Sequence, residues 1–488
     1  MNSYFVGPKG ENIDKLKELV LQALETHKNW RASHYPEDGK LAEDVWNADP
    51  VFDVRMASEF KLFLERLAGT FPYFHPRYAA QMLRDPAIPA IAAYFAALLI
   101  NPNNHAYEGG PVTTEMEMEV IDWLRRMVGF KEGWGHLTSG GSLANMEALW
   151  AVRDYRKKGA VVFSKGSHYS WKRISEILRI DKVIEIDVDE NYRIQLDRLE
   201  DTLLRNNVMF VVANAGTTGV GALDDVESIV NLREKYGFHL HIDGAYGGYA
   251  RSAILDNDMS LLPAEKTPFK QDVYRNLIAI SRADSITVDP HKHGLAPYGA
   301  GSVIYREEAL RKVILNTAPY TYHKTDKPNI GMFSLEGSRP GAAAASVWLT
   351  HKLIPLNISG FGKIISQTVS IARTFFEKVK RDPLLRALTD PDLDLFCFYP
   401  SGESYSDINL KSNKLYNSLS VEALTPPFIL SKLVIDRNIA FTMTPGIQEN
   451  EEFLTSIRAV FIKPYFLYKV GGKTYLDILL EEIHRILE

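Results

Sequence analysis

The chain runs to 488 residues, more than one hydrophobic core accommodates, so two or three domains are expected. Hydrophobic residues make up 45% and charged residues 24%, as in an ordinary globular protein, and a formal charge of −5 gives no footprint for nucleic acid or an anionic membrane. The single cysteine, Cys397, excludes an intrachain disulfide and any multi-cysteine metal site.

Met1 to Gly10 shows no basic stretch followed by an apolar core, so no signal peptide is evident and a cytoplasmic location is the expectation. Apolar residues at helical spacing (Ile13, Leu16, Leu19, Val20, Leu24) predict an amphipathic helix over 13–30, and another is expected around Met56 to Leu67. Ser33 to Pro50, between them, is polar. With helices but no strand pattern, residues 1–85 form an N-terminal segment expected to pack on another surface, such as a partner subunit. Within it, Phe71 to Tyr78 is an aromatic cluster broken by two prolines. It reads equally as a packed turn or as part of a substrate pocket, with Phe74, His75 and Tyr78 as candidates.

The longest apolar run, Pro86 to Ile100, is too short to span a bilayer and contains Pro89, so it reads as a buried helix. A further helix is expected near Thr113, with Thr114 as its cap and Glu115, Glu117 and Glu119 suiting its dipole. From about 135 to 305 the texture alternates. Val161–Ser164, Val183–Asp187, Met209–Ala213, Leu240–Asp243, Ile286–Asp289 and Ser302–Tyr305 read as strands separated by helices or loops. That pattern predicts a mostly parallel α/β sheet over a large domain, residues 86–355, with sites at the carboxyl ends of its strands. Residues 356–488 read as a smaller α/β domain: a helix from Ser359 to Val379, strands at Leu395–Tyr399 and Ser456–Ile462, and a closing helix, Tyr475–Leu487.

Five stretches carry chemistry. Thr138 to Ser142 runs into a strong helical pattern, Leu143 to Lys157, so Gly141 and Ser142 offer backbone N–H groups and a helix dipole to an anion such as phosphate. His168 follows a strand and is placed to stack on a flat ring. Asn214 to Asp225 is a Gly/Thr loop without the spacing of a dinucleotide fingerprint. His239 to Tyr249 is a strand ending in Asp243, whose buried carboxylate needs a partner such as a protonated pyridine nitrogen, and Ala245 leaves room for a ring. His239 and His241 share a strand face but have no third ligand nearby, so no metal site is read there. Finally, Asp289-Pro-His-Lys292 places a lysine at a strand end between two histidines, suited to a Schiff base with a carbonyl cofactor. Gly471-Gly-Lys-Thr474 lacks the first glycine of a P-loop, since Leu467 stands there.

In this order the stretches resemble the group II pyridoxal phosphate-dependent amino-acid decarboxylases of fold-type I, the bacterial tyrosine decarboxylases among them. The likeness covers roughly residues 70 to 485. It also draws on Ala106–Glu117, Ala144–Trp150, His168–Trp171 and Leu335–Trp348. It implies a mostly parallel seven-stranded sheet flanked by helices, pyridoxal 5′-phosphate as cofactor, and a homodimer with shared active sites. Lys292 would hold the cofactor as a Schiff base, Asp243 would keep its ring nitrogen protonated, and His168 would stack on the ring with Ala245 beneath. Thr217 would meet the 3-oxygen side. Gly141, Ser142, Ser285 and His291 would surround the phosphate, and Ser338 would reach the phosphate of a neighbouring subunit. A loop tyrosine, Tyr322 ahead of Tyr320, would return a proton to Cα after carbon dioxide leaves. The tyrosine decarboxylases run on further at the C-terminus, in an extension that helps close the pocket. Two other readings stand beside decarboxylation of an aromatic L-amino acid: an aldehyde-lyase resembling sphingosine-phosphate lyase, and a non-catalytic pyridoxal phosphate-binding protein. An aminotransferase is disfavoured, because no arginine is matched to a second carboxylate.

Overall fold

A computed structural model describes residues 2–38, 49–317 and 327–488. Strands β1 (Trp134–Thr138), β2 (Ala160–Ser164), β3 (Val183–Ile186), β4 (Val208–Asn214), β5 (His239–Asp243), β6 (Ser285–Thr287) and β7 (Gly301–Tyr305) form one seven-stranded sheet, in the order β1-β7-β6-β5-β4-β2-β3. Only β7 runs against its neighbours, pairing antiparallel with β1 and β6. The other pairs, β2–β3, β2–β4, β4–β5 and β5–β6, are parallel. This is the mostly parallel, helix-flanked sheet expected of fold-type I. β4 and β5 are buried along their whole length, and β4 accordingly reads as a near-continuous apolar run. β1 has no counterpart among the expected strands, because Gly135 and His136 interrupt its apolar pattern.

Helices α1 (Ile13–Ala32), α2 (Pro50–Leu67), α3 (Ile88–Leu98), α4 (Pro111–Val128), α5 (Gly141–Arg156) and α6 (Ser170–Ile177) precede or interleave the first strands. α2 starts at Pro50 rather than near Met56, because Asp49 caps it by accepting from the N–H groups of Val51 and Phe52. Neither α1 nor α2 contains a buried residue. α4 begins at Pro111 with Gly110 as its cap, so Thr114 lies inside the helix and does not cap it. Glu117 is likewise no surface dipole partner. It is buried in an ion pair with Arg339.

The last part of the chain builds a second, antiparallel sheet from β8 (Leu385–Ala387), β9 (Leu395–Pro400), β10 (Ser431–Asp436) and β11 (Phe453–Val460), in the order β10-β11-β9-β8. Helix Phe361–Arg381 and the closing helix Tyr475–Leu487 accompany it. β8 and β10 fall outside the expected strands. β8 is only three residues long, and β10 is largely exposed. Residues 78–80 join this sheet: Ala79 N–H donates to Ile429 O, and Val460 N–H donates to Ala79 O. Gly471 and Gly472 form the positive-φ turn of a hairpin between β12 (Lys469–Val470) and β13 (Lys473–Thr474), with φ of 60° and 84°. Thr474 then caps the closing helix reciprocally with Asp477.

Candidate active site

A cavity of about 470 Å³ opens at the carboxyl ends of the parallel strands. The turn after β1 supplies Ser139 to Ser142, the loop after β2 supplies His168, and the loop after β4 supplies Thr217. Asp243 and Ala245 come from the end of β5, and Asp289, His291 and Lys292 from the turn after β6. Eight of the residues singled out from the sequence therefore meet at one place: Gly141, Ser142, His168, Thr217, Asp243, Ala245, His291 and Lys292.

Each wall has a physical cause. α5 has Gly140 at its N-cap and no side-chain cap, so its leading N–H groups are left for an anion in the cavity. A Cβ added at Gly141 would stand 2.9 Å from both the Ala245 methyl and Asp289 Oδ2, so only glycine lets the helix start approach this closely. Asp243 is 7% exposed, and its Oδ2 accepts from Asn145 Nδ2 and Trp171 Nε1, both at 2.9 Å. Two donors thus hold one oxygen of a nearly buried carboxyl group in place. Burial pulls His168 below the ordinary histidine range; Asp243 opposes this and Lys292 reinforces it. Its Nδ1 lies 2.7 Å from Ser170 Oγ, at the start of α6. Thr217 Oγ1 accepts from Ala222 N–H at 3.0 Å, closing the Gly/Thr loop on itself.

Lys292 is semi-buried, with Nζ 3.1 Å from Asp289 Oδ2. Burial pushes the Asp289 carboxyl up, but Lys292 and His291 more than offset this and hold it below its ordinary range. Asp289 Oδ1 is buried without a hydrogen-bond partner. The ring of His291 stacks on Tyr298 at 4.6 Å.

Other predicted residues lie elsewhere. Ser285 does not line the cavity. It stands four residues before Asp289, about 13 Å of extended chain at ~3.3 Å per residue, and is fully buried between His239 and His241. Ser338 is exposed and accepts from Asn103 Nδ2. Tyr78 is buried against Tyr73 and Ile429, and His75 meets the edge of Tyr475, while Phe74 is exposed. These three form a packed turn and do not line the cavity. Tyr320 and Tyr322 lie outside the described residues.

Sequence reasoning missed Asn145, Trp171, Asn214 and Tyr246, and gave Asp289 no role. Asn145 was findable, because it sits one helical turn beyond Gly141 on a helix already aimed at the site. The others declare themselves only through tertiary contact.

The family model for the pyridoxal-dependent decarboxylase conserved domain matches residues 68–400. The L-tyrosine decarboxylase of Levilactobacillus brevis is 31% identical over 471 aligned positions, covering 78% of this chain and 75% of that one. The L-tyrosine decarboxylase of Enterococcus faecalis is 29% identical, covering 100% of this chain and 96% of its own length. Among solved structures, Oryza sativa TDC with PLP and tryptamine matches with a TM-score of 0.73 at 17% identity, over 98% of each chain, a likeness of fold.

Proposed function

The chain belongs to the pyridoxal-dependent decarboxylases, amino-acid carboxy-lyases that use pyridoxal 5′-phosphate, and from that membership we propose an aromatic L-amino acid, tyrosine first, as its substrate. The observation that carries this reading is the convergence of Lys292, Asp243 and His168 on one cavity with an uncapped helix start. The residues present fit the cofactor: a glycine cradle at Gly141 and a carboxylate at Asp243 held by Asn145 and Trp171.

When bound, the cofactor supplies an electron sink for the pair released as the Cα–carboxylate bond breaks. The protein does the rest. The Lys292 amine would hold the cofactor through its aldehyde carbon. Asp243 would hold a proton on the ring nitrogen. His168 and Ala245 would cover the ring, Thr217 would meet its 3-oxygen side, and the start of α5 with His291 would take the phosphate. Tyr322, or Tyr320 in its place, would supply the proton returned to Cα. Among the described residues no arginine lines the cavity. The tyrosine decarboxylase relatives favour an aromatic side chain.

We also assign a homodimer. Every residue of α2 is exposed, with Phe60 and Phe63 stacked at 6.0 Å and 58% and 52% exposed. Separately, α1 and the α3 region leave an apolar groove of about 440 Å³ lined by Leu19, Trp30 and Ile100. Surface of this kind calls for cover by protein, and in a dimer Ser338 is free to meet the partner's site.

The test supplies purified holoenzyme with a panel of L-amino acids and measures carbon dioxide and amine. Tyramine from tyrosine is the expected product. Turnover of aspartate or glutamate alone would overturn the aromatic assignment, and an aldehyde released from a phosphorylated amino alcohol without carbon dioxide would point to the aldehyde-lyase.

A further inference from the structure

Behind the cavity, on strands β5 and β6, a line of side chains runs from His239 to Asp243. His239 Nε2 is 2.8 Å from Ser285 Oγ, which is 2.8 Å from His241 Nδ1. His241 Nε2 is 3.1 Å from Asn145 Oδ1, and Asn145 Nδ2 is 2.9 Å from Asp243 Oδ2. Sheet pairing enforces the juxtaposition, since His241 and Ser285 are register partners across β5 and β6. All the members are buried.

The proton positions along this line follow by elimination. An ionised carboxylate only accepts, so the Asn145 amide must turn its NH₂ toward Asp243, leaving Oδ1 to accept. His241 must therefore carry its proton on Nε2. Burial holds His241 well below the ordinary histidine range, so the ring is neutral and its Nδ1 has a free lone pair. Ser285 must donate its only hydrogen to that lone pair, and its oxygen then accepts from His239 Nε2–H. Burial also holds His239 down, to about 4, so it too is neutral. Thr287 Oγ1, 3.3 Å from His241 Nε2, fits as a second acceptor of the same hydrogen. Aromatic packing fixes the rings: Phe210 stacks on both histidines, and Trp171 meets the edge of His241.

We propose that His239, Ser285, His241 and Asn145 form a one-directional chain of hydrogen bonds, every donor pointing toward Asp243, that positions this carboxylate and holds it as an anion for the cofactor's ring nitrogen. His241 is its central positioning residue: one donor, one acceptor, no charge. Hydrogen bonds aligned this way polarise one another, and the last of them delivers that polarisation to Asp243. Ser285 thus serves the ring-nitrogen end of the site, not the phosphate. The inference rests on Asp243 as the partner of the ring nitrogen.

The experiment compares His241→Phe, which keeps the flat shape but neither hydrogen bond, with His241→Gln, which keeps one donor and one acceptor. Asp243→Asn is the benchmark. Apoenzyme is titrated with pyridoxal phosphate by absorbance, the pH dependence of the bound-cofactor spectrum is recorded, and thermal unfolding reports on folding. His241→Phe is expected to weaken cofactor binding on the order of tenfold, the effect of losing support to a charged group, and to move the spectrum's pH dependence toward that of Asp243→Asn. His241→Gln is expected to restore most of both. None of these readouts needs the substrate, so the substrate assignment can fail without touching the result. Parent-like binding and spectrum in His241→Phe, with both lost in Asp243→Asn, overturns the chain. A parent-like Asp243→Asn removes the Asp243 assignment and the chain with it. Should His241→Phe not fold, Ser285→Ala decides: a loss in the same direction supports the chain, and parent-like behaviour overturns it.

Discussion

Arg339, in the Gly337-Ser-Arg-Pro-Gly341 stretch, makes a buried ion pair whose loss should reach the cofactor seat. Its side chain is 5% exposed and that of Glu117 is 2% exposed, with Nη1 and Oε1 2.7 Å apart. Arg339 also donates to Leu137 O and Asn104 O, while Glu117 accepts from Leu137 N–H and Asn104 Nδ2. The pair therefore clamps the end of β1, from which Ser139 to Gly141 enter the cavity. Glu336, three residues before Arg339, accepts from Ser139 N–H at 3.0 Å. Arg339→Met removes the cation and strands the Glu117 carboxylate in a low-dielectric interior, at a cost of about 3–5 kcal/mol. With an unfolding entropy of roughly 2.1 cal/mol/K per residue, the whole chain loses about 1 °C of Tm for each kcal/mol, so a fall of about 3–5 °C is expected. Glu117→Gln alone strands the arginine and should cost a similar amount. The double variant Arg339→Met/Glu117→Gln leaves no unpaired buried charge and should recover at least half of either loss. Thermal unfolding of all four apoproteins, with pyridoxal phosphate titrations of each, completes the cycle. Arg339→Met within 1 °C of the parent, or strictly additive losses, would refute the clamp.

Gly141→Ala should weaken pyridoxal phosphate binding by about 1–3 kcal/mol, since its methyl would need space held by Ala245 and Asp289; unchanged affinity in an absorbance titration would show that the cofactor does not need this approach. Asp224 is buried and pushed up to about 6 by that burial, with the N–H groups of Asn214 and Ile194 partly offsetting it. Its folded value lies above the ordinary 3.8, so the native state holds the extra proton. Its stabilising contribution is complete below that ordinary value and is lost as pH rises through about 6, worth about 3 kcal/mol in all. The parent should accordingly gain Tm on Asp224→Asn as pH falls from 6 toward 4, and parallel profiles would count against it. Phe60→Glu with Phe63→Glu should halve the mass seen by sedimentation; an unchanged mass would remove α2 from the dimer interface.

The sequence was legible where function lies at strand ends. Small residues, a lone acid and a lysine stand out against β-branched runs, and parallel strands bring their carboxyl ends to one side, so Gly141, His168, Asp243 and Lys292 could be placed together. Ser285 shows the limit of that reasoning. The resemblance sets it at the phosphate, but a strand advances about 3.3 Å per residue, and the seven residues back from Lys292 carry it down into the sheet. Its partners there depend on register, which no local pattern reports. Glu117 and Arg339 are 222 residues apart, and each alone reads as an exposed charge. The small sheet was only half visible because β10 is largely exposed and so lacks a strong apolar signature.

The lysine turn is not set by the large sheet alone. Both ring nitrogens of His293, the residue after Lys292, face oxygens that only accept: Tyr246 O at 2.8 Å and Asp394 Oδ2 at 2.9 Å. Tyr246 OH donates to the other oxygen of Asp394, and Ala87 N–H donates to Leu295 O on the far side of the turn. Two residues before Asp394, Asp392 accepts from Leu223 N–H in the Gly/Thr loop and is paired with Arg193 and Lys270. The Asp392–Asp394 segment, entering β9, is thus bonded to two walls of the cavity, both the loop that carries Thr217 and the turn that carries Lys292.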